Sequence, residues 1–469
     1  MKHTKYSHIA KWICFLFIVV MNISTGSMAQ TPVVNSIQKS VDKVDTASTY
    51  SVYYPVFISP KTTIFNWALG SYETSYDGTR FAFYKLYLNS LDVKNYSLLI
   101  PTDESLNNYI DPIAYGQDVQ GILKFWYDSN NTRVSATILK YNKATGVTSD
   151  SVGVISGNQD VSVSNLVRNR LLDLLDSHIV VGDIEAGDQY FVTKGNDIVK
   201  VNGAGASLNV QGGGDILNNK QSNVSQIFSQ ANGKTYFLDK PIQPALKSVY
   251  RTLYETPEFS EFFNLLSGAP ADSILVNAGT ADSDWRVKFF NAYNYTVYVP
   301  TNTAVQKALA DKIILSWTDI NNLNASDKAA ATHKLIRFLK YHLQVNAIFV
   351  GNKTVEGVYK TATLKTDNVT TGLGTSKNKF LKLRVSGTGG DLTITTETGK
   401  IAHILKSDPV TGRPLYNLIS KEYIFAKNPI AYNNIASTGA VVLPLFSTST
   451  IMTSSSAVIH QIDNVLTFE

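Results

Sequence analysis

Histidines are the side chains best able to do acid–base or metal chemistry near neutral pH, and this chain of 469 residues has seven of them. His178 and His342 each follow a segment with helical spacing of apolar residues and precede a short apolar run. His460 lies in an alternating segment near the end of the chain, whereas His333 and His403 are isolated. Because no two histidines have the spacing of a metal site, we expect no metal bound by histidine.

Catalytic and nucleotide-binding motifs do not occur in the sequence. The glycine-rich stretch Val201–Ile216 lacks the third glycine of a dinucleotide loop and predicts turns between short strands. The full phosphate-binding loop pattern, a Gly-x-Ser-x-Gly nucleophile elbow and a His-Glu-x-x-His zinc helix are absent. The carboxylates are scattered, without a pair whose placement predicts glycosidase chemistry. We therefore expect no catalytic residues and no cofactor.

The start of the chain predicts a signal peptide. Three lysines precede the apolar run Trp12–Met21, which has the length of a signal core, and small residues follow at the spacing that a signal peptidase reads. We predict cleavage after Ala29, so that residues 1–29 are the signal peptide and residues 30–52 form a lead-in segment.

The single cysteine, Cys14, lies inside the predicted signal peptide. The exported chain then has no thiol, which excludes disulfides, thiolate metal sites and a cysteine nucleophile. Lipidation of Cys14 is the alternative, but the small residue that normally precedes a lipidated cysteine is missing. No later segment reaches the roughly 20 apolar residues of a transmembrane helix, so we expect none in the exported chain. The predicted location is the periplasm, the outer-membrane surface or the medium.

Charge and composition narrow the class of protein. The formal net charge is +5, and the first thirty residues carry three lysines and no acid, so the exported chain is near +2. A nearly neutral chain argues against nucleic acid as a partner, because a nucleic-acid site leaves a basic stripe. Abundant Tyr and Phe with only 17% charged residues indicate a β-rich extracytoplasmic protein.

One order of motifs occurs twice along the chain. The segments Tyr96–Ile110 (YSLLIPTDESLNNYI) and Tyr295–Leu309 (YTVYVPTNTAVQKAL) both read as a strand, a Pro-Thr step and a helix. A helix, a histidine and a short strand follow in each copy, and each copy closes on a strand with an apolar–Asp step. This duplication predicts two domains, residues 53–244 and 245–469, with a β-rich insertion at about 117–160 in the first.

Each Pro-Thr step predicts the end of a strand and the start of a helix. Pro101 and Pro300 cannot donate a hydrogen bond to a neighbouring strand, so each strand must end there. Thr102 and Thr301 can cap the next helix with their hydroxyls. In the first copy Asp103 and Glu104 add negative charges that favour the N-terminus of that helix.

These motifs resemble, in tandem, those of the fasciclin-like domain. The family's strand–Pro-Thr motif stands here as LLIPTDESL and VYVPTNTAV, its helix–histidine motif as LLDSHIVVGDI and LKYHLQVNAI, and its closing strand as TYFLDKPIQ and VIHQIDNVL. The resemblance covers roughly Tyr53 to Glu469 and implies an α+β fold, with each domain a β-sandwich-like wedge that has helices packed along it. It implies structural roles for Pro101, Thr102, His178, Pro300, Thr301, His460 and Asp463. The sparse charge, signal and many Asn and Thr residues are similar to those of bacterial, Bacteroidetes-type surface proteins.

Two pairs of side chains are candidates for partner binding. In adhesive members of the family the Tyr-His pair, here Tyr341 and His342, lies in or near the proposed receptor-binding segment. The alternative is that His342 fixes the junction between helix and strand. Trp126 and Tyr127 interrupt a polar segment and could stack on sugar rings, or they could form buried edges of the inserted sheet.

We therefore expect a non-enzymatic exported protein that acts in adhesion or binding, with a surface protein or a glycan as its partner. One alternative is an accessory glycan-binding component of an outer-membrane polysaccharide-uptake system, associated with outer-membrane proteins. A second is a structural spacer, whose surface would lack an aromatic platform and a sizeable apolar patch. A third is a hydrolase, which would need a cleft with two carboxylates about 5 to 9 Å apart.

Overall fold

The structure is a computed structural model. It describes residues 50–70, 88, 95–108, 119–142, 147–156, 167, 170–171, 173–277, 285–290, 293–351, 353–365, 379–422, 430–433, 442–445 and 455–469. The predicted signal peptide, residues 1–29, and most of the predicted lead-in segment lie outside these described residues.

Strands make up most of the regular structure in the described residues. They are β1 (Tyr96–Pro101), β2 (Val119–Asp128), β3 (Arg133–Asn142), β4 (Val147–Ser156), β5 (Ile179–Val181), β6 (Tyr190–Val192), β7 (Ile198–Asn202), β8 (Asn209–Gly212), β9 (Ser222–Gln230), β10 (Gly233–Leu238), β11 (Leu275–Asn277), β12 (Trp285–Val287), β13 (Asn294–Pro300), β14 (Leu343–Val345), β15 (Val355–Leu364), β16 (Phe380–Thr388), β17 (Asp391–Thr396), β18 (Ile401–His403), β19 (Leu418–Glu422), β20 (Ile430–Asn433), β21 (Val442–Leu445) and β22 (Ser455–Ile462).

Short helices connect these strands. The α-helices are α1 (Tyr54–Ile58), α2 (Thr63–Gly70), α3 (Gly213–Leu217), α4 (Val249–Tyr254), α5 (Ser260–Ser267), α6 (Asn302–Ala310), α7 (Trp317–Asn321) and α8 (Ala325–Tyr341). Single 3₁₀ turns occur at Asp103–Asn108, Gly205–Ser207 and Pro257–Phe259. The described residues between 167 and 176 are also helical. The fold is thus mixed α+β with sheet-rich halves, which confirms the α+β part of the prediction.

Each half of the chain is built on one large sheet. We call residues 50–244 the N-terminal half and residues 245–469 the C-terminal half, after the predicted boundary. The first sheet has the order β5-β1-β10-β9-β8-β7-β6 and the second β18-β17-β16-β15-β14-β13-β22-β19. In both sheets the strand that ends in proline pairs in parallel with the closing strand: β1 with β10, and β13 with β22.

The central strands of both sheets are buried on both faces. In β1, Leu98 and Ile100 pack into one core while Leu99 packs into another. In β13, Val297 belongs to one core and Tyr298 to another. Because successive side chains point to opposite faces of a sheet, apolar layers must cover both faces, which explains why most residues of these strands are apolar.

A separate three-stranded sheet lies between β1 and β5 in the chain. Strands β2, β3 and β4 pair antiparallel as neighbours in sequence. One face of this sheet is apolar: Phe125, Val134 and Ile138 join the core that also contains Phe65 of α2. The sheet therefore covers one apolar side of the N-terminal half.

The Pro-Thr step has the same surroundings in both halves. Pro101 and Pro300 are the last residues of β1 and β13. The next backbone N–H donates to the last carbonyl of the closing strand, from Thr102 to Leu238 at 3.3 Å and from Thr301 to Ile462 at 3.0 Å. A strand that cannot extend past proline is thus tied to its parallel neighbour.

The threonines of the two steps differ in how they cap. Thr301 Oγ1 accepts the Ala304 N–H at 3.2 Å and caps α6. Among the described residues the Thr102 hydroxyl has no such bond, and a 3₁₀ turn follows it instead of an α-helix. The predicted hydroxyl cap is therefore wrong for Thr102, where the backbone carbonyl accepts the Ser105 N–H at 2.9 Å.

The residue after each threonine caps a helix that lies upstream in the chain. Asp103 accepts the N–H groups of Thr63 at 2.8 Å and Ile64 at 3.0 Å, at the N-terminus of α2. Asn302 accepts the Glu261 N–H at 3.0 Å, at the N-terminus of α5. The negative charge of Asp103 does favour a helix N-terminus, but of a different helix from the predicted one.

Replacing Asp103 with alanine is expected to lower the free energy of unfolding by about 1–2 kcal/mol, because α2 loses its cap. Urea denaturation followed by circular dichroism measures this change. The matched control is Lys61→Ala, since the Lys61 side chain is exposed beside the N-terminus of α2. Equal effects of the two substitutions would contradict the capping role.

Candidate functional site

The junction between α8 and β14 holds His342 inside the protein. The side chain is fully buried, and its Nδ1–H donates to the Phe338 carbonyl at 2.9 Å. Its Nε2 accepts the Leu466 N–H at 3.1 Å. Both bonds are satisfied only by the neutral ring with the proton on Nδ1. Burial correspondingly lowers the pKa of His342 to about 4.

Tyr341 is buried next to His342. Its hydroxyl donates to the Lys382 carbonyl at 2.9 Å and accepts the Glu397 N–H at 3.2 Å. Both side chains of the predicted binding pair therefore join α8 to the strands around it. A partner cannot touch either of them in this conformation, and the geometry favours the alternative of a structural junction.

His178 makes the same contacts in the N-terminal half. Its Nδ1–H donates to the Leu174 carbonyl at 2.7 Å, and its Nε2 accepts the Ile242 N–H at 2.9 Å. Ile242 follows the end of β10 by as many residues as Leu466 follows the end of β22. Each histidine thus fastens a helix end to the chain just after the closing strand, and burial lowers the pKa of His178 to about 4 as well.

The closing strand carries two further polar residues that the motifs single out. His460 is fully buried; its Nε2–H donates to the Ile348 carbonyl at 2.9 Å and its Nδ1 accepts the Asn417 N–H at 3.3 Å. Asp463 accepts the His403 N–H at 2.8 Å, just past the end of β22. Both residues hold neighbouring segments of the C-terminal half together.

Trp126 and Tyr127 do not form one aromatic platform. They are successive residues of β2 and therefore face opposite sides of the inserted sheet. Trp126 faces outward and is 38% exposed, whereas Tyr127 packs against the core beneath the sheet. The predicted pair is thus divided, and only Trp126 offers an exposed ring.

A buried polar network joins the two halves. Lys421 in β19 is fully buried; its Nζ donates to the Gly195 carbonyl at 2.7 Å and to Asp197 Oδ1 at 2.8 Å in the N-terminal half. The carboxylates of Asp173 and Asp176 lie close enough to favour the charged form of Lys421. A second cation comes from Lys194, 3.0 Å from Asp176, and a third from Arg170, 2.8 Å from Asp173.

Three carboxylates therefore face three cations in the interior, so the charges of this network balance. Burial raises the pKa of Asp197 and lowers that of Lys421, and each partner's charge opposes the shift of the other. We take the pair to be ionised, because Asp173 and Asp176 add to the attraction for the ammonium.

Further contacts surround this network. The Ser456 hydroxyl donates to the Asn196 carbonyl at 2.5 Å. Apolar residues of both halves form a shared cluster in which Ile198 packs with Ile419 and Val458. The Tyr190 ring stacks on Phe349 with centroids 4.5 Å apart and planes within 3°. The junction is thus packed and hydrogen-bonded like a domain core.

A cleft of about 360 Å³ opens at the edge of this junction. Residues 187–190 of the N-terminal half line one side, and segments around Phe349 and the start of β15 line the other. Asp188 and Lys353 form an ion pair between the two sides. Concave sites of this size at domain junctions are common ligand sites. The cleft is therefore the candidate functional site, and no motif in the sequence indicated it.

Two further findings concern membrane spans and metal sites among the described residues. None of their helices is both long enough and apolar enough to span a bilayer. No cluster of three or more His, Cys, Asp or Glu side chains among them could hold a metal ion.

Comparisons with known proteins do not assign this chain to a family. No family model and no curated protein matches the chain. Among solved structures, it is similar to a FAS1 domain pair from the insect cell adhesion molecule Fasciclin I, with 13% identity over 84% of this chain and 98% of that chain. The TM-score of 0.24 is too low for this similarity to support a conclusion about function.

Proposed function

We propose that the chain is a non-enzymatic binding protein of the cell envelope that takes its partner, a surface protein or a glycan, into the junction cleft. One observation carries this proposal: a cleft lined by both halves lies beside a junction that buried contacts hold together. A ligand there meets a preformed surface, so little binding energy is lost to ordering.

The proposal includes two tandem fasciclin-like domains as its architecture. The repeated contacts of Thr102 and Thr301, and of His178 and His342, support a duplication of one structural unit. Export to the periplasm, the outer-membrane surface or the medium rests on the signal-like N-terminus, and a bacterial source rests on composition.

The carboxylates of the cleft favour binding over hydrolysis. Asp188 is paired with Lys353, and Glu356 accepts bonds from Arg384 at 2.6 and 3.0 Å. A glycoside hydrolase of the usual kind needs one carboxyl that gives a proton and another that takes one or attacks. Ion pairs hold both of these carboxylates in place as acceptors, which suits recognition of a ligand.

An array of glycans and envelope proteins, probed with the purified exported chain, tests this function. We expect retention of members of one class and no turnover of the retained molecules. Absence of binding to both classes would contradict the proposal, and so would cleavage of a retained glycan.

A further inference from the structure

A tyrosine in the cleft lies flat against its own strand. Gly357 and Tyr359 are two residues apart in β15 and therefore share a face of the sheet. A β-carbon at Gly357 would lie 2.5 Å from Tyr359 Oη and 2.6 Å from its Cζ. The outer end of the phenol thus occupies the space that any other residue at position 357 would fill. The Tyr359 side chain also packs against the apolar core that contains Leu383, and it lines the cleft with part of its ring.

The Tyr359 side chain has unused binding capacity. Its ring is half-buried, and its hydroxyl makes no hydrogen bond with any of the residues that the structure describes. The neighbouring Gln189 and Thr354 add an amide and a hydroxyl to the cleft lining. An aromatic face bordered by such groups suits a ligand with an apolar face and hydroxyls at its rim.

The charges of the cleft favour a neutral ligand. Asp188 is neutralised by Lys353 across the cleft, and Glu356 is neutralised by Arg384. A charged ligand would have to displace one of these partners and would find no unbalanced charge of opposite sign in the described lining. A neutral ligand can use the same carboxylates as hydrogen-bond acceptors without breaking the pairs.

We propose that the cleft binds a neutral saccharide, with one sugar ring stacked on the part of the Tyr359 ring that lines the cleft and its hydroxyls bonded to the polar rim. This inference rests on the proposed function, in which the cleft is the binding site, and it adds the ligand class and the stacking residue. Gly357 has a specific part in it, because the absence of a side chain there lets the tyrosine ring lie flat.

The test uses an array of neutral and acidic oligosaccharides together with peptides, followed by calorimetry with the oligosaccharide that is retained. Wild type is expected to retain neutral oligosaccharides. Tyr359→Ala should weaken binding about tenfold or more, by loss of stacking. Gly357→Ala should weaken it similarly, because the new methyl group collides with the movable end of Tyr359 and lifts the ring without a backbone clash.

The matched control is Val358→Ala, since Val358 lies between these residues, faces the other side of the strand and is 63% exposed. The affinity of Val358→Ala should equal that of wild type, and both Val358→Ala and Gly357→Ala should keep the wild-type melting temperature within a few degrees. If Tyr359→Ala is too unstable to measure, Gly357→Ala decides the question.

Neutral oligosaccharides bound equally by wild type and Gly357→Ala would overturn the stacking role and leave the proposed function standing. Retention of peptides or acidic sugars only would overturn the ligand class, and no binding at all would overturn the proposed function as well.

Discussion

Replacing Lys421 with methionine is expected to lower the free energy of unfolding by about 3–5 kcal/mol, the usual cost of removing one partner of a buried ion pair. Methionine has a similar length and fills the same space, so the effect comes from charge. Without the ammonium, the carboxylates of Asp173, Asp176 and Asp197 face only two cations in the interior. Denaturation in urea at neutral pH measures the change.

A second ion pair across the same junction supplies the control. Lys353 pairs with Asp188, but it is 71% exposed, and pairs of that kind contribute only about 0–1 kcal/mol. Lys353→Met should therefore unfold nearly as wild type does. A Lys421→Met variant that is equally stable would show that the buried pair does not hold the junction.

Charge balance can also be restored in the variant background. Adding Asp197→Asn to Lys421→Met removes one of the three negative charges and should recover part of the lost stability. The double variant would then be more stable than the sum of the two single changes predicts, which is the sign of direct coupling. Strict additivity would contradict the proposed pairing of Lys421 with Asp197.

The Pro-Thr steps show which contacts can be predicted from the order of residues alone and which cannot. The contact between Thr301 and Ala304 is made within one helical turn, and residue type and order are enough to predict it. Asp103 is different, because its partners at the start of α2 lie about forty residues upstream. A side chain that suits any helix N-terminus does not reveal which helix it will meet, and only the packing of α2 against β2 and β3 decides that.

The candidate site could not be predicted from the sequence either, because its residues also lie far apart along the chain. The cleft brings Tyr190 next to Phe349, and the junction pairs Asp197 with Lys421, over more than 150 intervening residues in each case. No spacing rule connects residues so far apart. The division of Trp126 from Tyr127, in contrast, follows from the alternation of side chains along β2 and could have been predicted once the segment was read as a strand.

Three buried histidines make the folded protein sensitive to acid. Burial lowers the pKa of His178, His342 and His460 from 6.5 to about 4 in each case. Between pH 6.5 and 4 these histidines therefore bind protons in the unfolded chain that they do not bind in the folded chain, and their contribution to the free energy of unfolding falls as the pH falls. Each lowered pKa corresponds to a loss on the order of 3 kcal/mol over this range. Three carboxyls act in the opposite direction, because burial raises the pKa of Asp103, Asp197 and Asp215, that of Asp215 to about 6.

The substitution His342→Asn separates this effect from that of the carboxyls. At pH 7.5 the variant should be less stable by about 1–3 kcal/mol, because the Leu466 N–H loses its buried acceptor. As the pH falls from 6.5 to 4, the wild type loses the contribution of His342 and the variant has none to lose. The difference between them should therefore shrink toward zero or change sign.

Urea denaturation at several pH values measures the two curves. Ser326→Ala is the control, since Ser326 is exposed on the same helix, α8, and has no titratable side chain, so its curve should run parallel to that of wild type. A constant difference between wild type and His342→Asn over the whole range would mean that His342 titrates alike in the folded and unfolded states. The interpretation of His342 as a buried, neutral histidine would then be wrong, and so would the equivalent interpretation of His178.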